Sequence, residues 1–264
     1  MEFEYIQNLL LTILINSPRI ASAFIMIPFF SRQMLPGALV KNGVVIALSM
    51  FLVPMNYDVA EVLNLYSYNT LALMLKEIFI GVVIGFIVTI PFWAVESVGF
   101  FIDNQRGSTM ASTLNPLTGS QTSPLGVLFN QAMTTAFFVS GTFLVFTEGL
   151  YRSFKIWPLL SYYPSIDLSV MDFFINQISF MLFITVLLSS PIIISMFMSE
   201  FCFALINRFT PQLNVFVLSM PVKSAVAMFL LVLYVYPMFG YLNDELGSID
   251  VVFMKVKTVL SVDP

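Results

Sequence analysis

Eight ionisable side chains stand out by position. Arg19, Glu77, Glu96, Glu148, Glu200 and Lys223 lie within or at the ends of long apolar runs, and Asp103 and Arg106 open the polar segment that follows one of them. Ionisable groups in such runs are costly, and they usually face a bundle interior or a wet cavity. Two chemistries fit. The carboxylates could relay protons or ions, with Glu77, Glu96 and Glu200 around one wet site. Alternatively the charges, with Arg208 beside them, could be structural pairs that lock helices or partner subunits together. The absence of His and of a dense acidic cluster favours pairing. Glu96 and Asp103 are seven apart and share a helix face, and Arg106 follows Asp103 by three, a spacing that permits a local ion pair.

Catalytic chemistry finds little support. With one Cys and no His, the chain can build neither a His/Cys metal cluster nor a His-based triad nor an intrachain disulfide. Cys202 lies in an apolar run and reads as a small buried hydrophobe. No nucleophile elbow or phosphate loop arranges the available Ser, Asp and Glu. The expectation is a protein that is not an enzyme and carries no cofactor. A net charge of −4 argues against a nucleic-acid partner.

The most unusual segment is 103–126, DNQRGSTMASTLNPLTGSQTSPLG, polar and rich in Ser, Thr and Gly between two very apolar runs. It is long for a connection between packed helices. One reading is a solvated surface loop. The other is a plug or constriction at a channel mouth, where small uncharged residues seal a pore without gripping a passing peptide. On that reading the pore residues are Asp103, Asn104, Gln105, Arg106, Met110, Leu114, Pro116, Gly119, Gln121 and Pro124, with Met110 and Leu114 adding apolar contact. Upstream, Gly81, Gly85 and Thr89 are spaced by four and fall on one helix face ahead of Pro91. Small residues at that spacing let helix backbones approach closely in a membrane. In 207–224, Pro211 and Pro221 bracket nine residues, too few to span as a helix, so a re-entrant or tightly bent element is expected there, with Lys223 needing a partner.

The elements that hold these residues follow from composition. Of 264 residues, 58% are hydrophobic and only 10% charged, more apolar matter than a core of this size can hide. Six runs emerge, at 9–30, 38–55, 71–102, 127–150, 173–203 and 213–239. Backbone groups in lipid must be satisfied within a helix or a closed barrel, and these runs lack barrel alternation. The expected fold is an all-α integral membrane protein, one polytopic domain over 1–264 with a flexible tail from about 244. The acids Glu2 and Glu4 stand where a cleavable signal would carry Lys or Arg, so the first run reads as a retained span. Run 127–150 reads as an uninterrupted span, whereas a bend or break is expected near Pro91 and near Pro191. Sixteen Met fit lipid-facing filler or adaptable packing. Arg32, Lys41, Arg106 and Arg208 fall on one side of a six-span arrangement, and Arg152, Lys155, Lys255 and Lys257 on the other. That tie leaves orientation to partners or to a different span count. The similarity between Ser17-Pro18 through Ser22 and Ser190-Pro191 through Ser195 reads as chance in so biased a composition.

Two segments carry a family resemblance. IPFWAVESVGFFIDNQRGSTM with TSPLG downstream, together with NRFTPQLNVFVLSMPVKS, resembles the T-subunit family of type III secretion export gates. The flagellar counterpart is the R subunit of the flagellar gate, and the ending SMPVKS looks more like the injectisome branch. The resemblance extends from the first apolar run to about residue 240. It implies a helical gate built with two other small hydrophobic subunits, of R and S type, beside a U-type switch subunit and needle or inner-rod proteins. It implies a place in the bacterial inner membrane, within the secretion-system base and raised towards the periplasm, with unfolded polypeptides as cargo. It also implies that 103–126 lies near the closed pore. The rival reading is a proton-coupled small-solute transporter, against which the lack of an inverted repeat argues.

Overall fold

The computed structural model describes residues 2–30, 37–62, 68–108, 123–160, 168–210, 212 and 214–247, which form eight α-helices and no strand. These are α1 (Glu2–Met26), α2 (Ala38–Met50), α3 (Val53–Val62), α4 (Tyr68–Gln105), α5 (Pro124–Val139), α6 (Thr142–Ile156), α7 (Leu168–Phe209) and α8 (Val215–Gly247), with a short 3-10 turn over Pro28–Phe30. Within these residues α1, α4, α7 and α8 are long and apolar enough to cross a membrane, and α5 with α6 counts as a fifth span if taken as one broken segment. The protein is therefore an all-α, membrane-embedded chain. The second apolar run is divided between α2 and α3, and α2 at 13 residues is too short to span. Of the expected tail, Asp244–Gly247 are the last turn of α8 and the remainder lies outside the described residues.

At several prolines the helix continues without a break. Helix α4 runs through Pro91, α7 through Pro191, and α8 through both Pro221 and Pro237, so from Val215 onward the segment expected to be short and bent is part of a long helix. A proline frees the carbonyl four residues earlier. In α7 the Ser190 hydroxyl donates to that carbonyl, Leu187 O, at 3.0 Å. In α1 the Ser17 hydroxyl does the same for Leu14 O at 2.9 Å, ahead of Pro18. The similarity between the two Ser-Pro stretches thus has a shared local chemistry. A neighbouring hydroxyl repairs what the ring breaks, and the helix continues.

Conversely, the run 127–150 is not one clean helix. It breaks at Gly141, whose φ of +78° few side-chain-bearing residues adopt. No proline marks this break. Cys202 is also exposed rather than buried.

The chain divides into two compact units. The first holds 1–90, 141–177 and 248–264. Its core gathers around Phe24, fully buried, with ring centroids 4.8 Å from Phe30 and 5.3 Å from Phe146. Helix α1 packs there on α2 and α3. Buried Asn56, non-helical at φ −120°, donates through Nδ2 to Asn16 Oδ1 at 2.8 Å and ties the kink in α3 to α1. The second unit holds 91–140 and 178–247. Phe92 and Phe137 meet at 5.3 Å in its core, beside buried Val95, Val98, Ile184 and Met196. Much of α7 and α8 stays uncovered, including Phe183, Val186, Phe229, Val232 and Leu233.

Candidate functional site

The C-terminal end of α4 and the start of α5 are joined by one carboxylate. Asp103 is fully buried in the last turn of α4. Its Oδ2 accepts from the Ser123 hydroxyl at 2.6 Å and from the Leu125 backbone N–H at 2.9 Å. Its Oδ1 lies 2.7 Å from Arg106 Nη2. Ser123 serves twice, because its Oγ also accepts from the Gly126 N–H at 2.9 Å and so caps α5, with Pro124 at the first helical position. The positive end of the α5 dipole thereby faces the Asp103 carboxylate.

Two glycines allow this approach. A Cβ built on Gly99 would overlap the Gly126 backbone nitrogen and come within 2.6 Å of Gly126 Cα. Gly107, at φ +84°, terminates α4, with its N–H donating to Asn104 O at 3.1 Å. The Met220 side chain lies 3.5 Å from where a Gly107 Cβ would sit. Both ends of the polar segment are thus fixed. Of the residues singled out in it, Asp103, Asn104, Gln105, Arg106 and Pro124 are described, with Asn104 and Pro124 exposed. Met110, Leu114, Pro116, Gly119 and Gln121 lie outside the described residues.

The other acids each have a partner. Half-buried Glu96 accepts from Asn130 Nδ2 at 2.8 Å. Glu200 lies 3.2 Å from the buried Lys223 ammonium, while Arg208 is exposed in the last turn of α7. In the first unit, Arg19 is fully buried and forked onto Glu77, with Nε at 2.6 Å and Nη2 at 2.9 Å from its oxygens. The same guanidinium donates to Ser153 Oγ at 3.0 Å and to the Trp157 carbonyl at 2.9 Å, and stacks 4.0 Å above Phe154. Lys76 Nζ adds a contact to Glu77 at 2.9 Å and donates to the carbonyls of Pro158 and Leu159, each at 3.0 Å. Two cations thus hold the carbonyls at the C-terminal end of α6, where the helix dipole is negative.

The small-residue face of α4 lies on α1. A Cβ on Gly81 would collide with Ser22 Oγ and the Arg19 carbonyl, and one on Gly85 with the Ala23 carbonyl and, at 2.8 Å, Met26 Cβ. The Thr89 hydroxyl is 3.0 Å from Met26 O.

Sequence reasoning missed Ser123, Asn130, Ser153 and Trp157 as partners. The Ser123-Pro124 pair before an apolar run was a readable cap signal. The backbone carbonyls of 157–159 carry no signal in side-chain type.

The profile for bacterial export proteins, family 1, matches residues 10–249. The Yop proteins translocation protein T of Yersinia pestis is 45% identical over 245 residues, 92% of this chain and 93% of that protein. The secretion system apparatus protein SsaT of Salmonella typhimurium is 31% identical over 92% of this chain and 94% of its own. The flagellar biosynthetic protein FliR of Bacillus subtilis is 30% identical over 81% of this chain and 82% of its own. On this extent of likeness, set beside the helical architecture above, the chain belongs to the bacterial export proteins of family 1, on the injectisome side.

Proposed function

We propose that this chain is a wall subunit of the type III export gate, lining part of the inner-membrane pore through which unfolded polypeptides leave the cell. Membership of the export family supports the class of activity. The observation that carries the pore reading is the Asp103 clamp, which anchors both ends of a polar segment whose small uncharged residues suit a seal. Its partners are the R-type and S-type gate subunits, the U-type switch subunit and needle or inner-rod proteins, with secreted polypeptides as cargo. The setting is the bacterial inner membrane, within the secretion base and raised towards the periplasm. The uncovered faces of α7 and α8 support neighbours of this apolar kind.

The transporter reading gains nothing from the geometry. Glu77 is engaged by Arg19 and Lys76, Glu200 by Lys223, and Glu96 by Asn130. The test is removal of residues 109–122 in the assembled gate, followed by measurement of resting ion leak and of secretion. A leaky gate is the expected result. Unchanged leak and unchanged secretion overturn the plug reading.

A further inference from the structure

We propose that the cleft between the α2–α3 break and α6 is a binding site for an anionic phospholipid. Within the first unit an open cleft of about 530 Å³ has walls of two kinds. One is apolar, formed by Phe51, Met55 and Leu144, all exposed. The other is basic, formed by Arg152 and Lys155, three apart and so on one face near the C-terminal end of α6. Tyr151 lies between them and donates its hydroxyl to Leu48 O at 3.2 Å, fixing α6 against α2 and keeping the cleft's width.

Charge complementarity selects the occupant. Glu148 also lines the cleft and lies 2.6 Å from Arg152, the two side chains being 58% and 65% exposed. That pair is largely screened and cancels in charge. Lys155 is left as the surplus positive charge, with Arg152 able to turn from Glu148 to an incoming phosphate. A phosphodiester headgroup satisfies the basic wall, and an acyl chain covers the apolar one. A free phosphate meets only the first of these needs. Basic pockets beside membrane helices take acidic lipid headgroups for the same reason. A zwitterionic lipid brings its own ammonium to the same wall and should bind less well.

The test uses the full chain purified in mild detergent and titrated with phosphatidylglycerol, phosphatidylcholine or inorganic phosphate, with bound lipid counted by native mass spectrometry. Phosphatidylglycerol should be retained over phosphatidylcholine. Each basic side chain near the surface is worth about fivefold in lipid affinity, so Lys155→Gln should lose about that factor and Arg152→Gln at least as much, since it also leaves the Glu148 carboxylate uncompensated beside the headgroup. Glu148→Gln should move the other way and raise retention, a gain that misfolding cannot mimic. Equal retention of the two lipids overturns the proposal. So does a Glu148→Gln protein that retains no more than the wild type. Phosphate that competes as well as the lipid reassigns the site to free anions, and cross-links from Leu144 to a neighbouring subunit in the assembled gate reassign it to protein; both outcomes overturn the lipid.

Discussion

A single carboxylate decides how the polar segment is anchored. Asp103, itself fully buried, makes two hydrogen bonds across the segment and one ion pair to Arg106 just past the end of α4. Hydrogen bonds to a charged group contribute about 1.5–3 kcal/mol each. Asp103→Ala should therefore release the start of α5 and produce a resting leak, measurable as conductance of the assembled gate in planar bilayers. Ser123→Ala removes one of those bonds and the helix cap, and should give a weaker effect of the same sign. The Arg19 cluster allows a sharper comparison. Breaking a buried pair by removing one partner costs about 3–5 kcal/mol. The two deletions are nevertheless not equivalent, because Glu77 has two cationic partners, Arg19 and Lys76. Glu77→Leu leaves two buried cations together, whereas Arg19→Leu leaves Glu77 with Lys76. The first should lower thermal stability in detergent more than the second, with the double variant falling between the first and the wild type.

Among the elements, close approach and proline repair set the rules. Gly81→Leu must push α4 off the α1 backbone, so it should abolish accumulation of the protein in membranes. Gly43→Ala meets open space on α2 and should be neutral or slightly stabilising by the same assay. Gly141→Ala also meets open space, but its positive φ makes it cost about 1 kcal/mol. Ser190→Ala should cost a similar amount, because Leu187 O would then face Pro191 without a donor. Here the sequence was partly legible. The spacing of Gly81, Gly85 and Thr89 identified a face that the fold lays against α1. Proline position did not mark helix ends in α4, α7 and α8, and at α7 a repair lies in the side chain before the ring. The one break that does occur in 124–156 comes at a glycine whose φ no pattern of hydrophobicity reveals.

For the molecule as a whole, composition was the strongest guide. An apolar fraction of 58% demanded cover beyond the chain itself, and α7 and α8 carry much of the uncovered surface. Purified alone, the protein should be polydisperse in detergent, and it should sharpen to one species when neighbouring export subunits are co-expressed. Size-exclusion chromatography with light scattering distinguishes these outcomes. Helix content and the long spans were readable because lipid leaves the backbone few alternatives. The division into two units was not, because it falls inside α4 and α7, at Ile90/Pro91 and Gln177/Ile178, where no change of composition marks it. The acid–base partners were legible as a class and not as pairs, since Arg19 and Glu77 are separated by 58 positions and by other charges of both signs.

That separation also bears on biosynthesis. The ribosome completes α1 long before Glu77 exists, and Ser153 and Trp157 come later still. At ordinary translation speeds the guanidinium of Arg19 waits roughly 3–12 s for its carboxylate. During that interval a lone cation within an apolar segment resists entry into the bilayer. Nascent α1 should therefore linger at the insertion machinery until α4 emerges, and a chain truncated before residue 77 should be a poor insertion substrate.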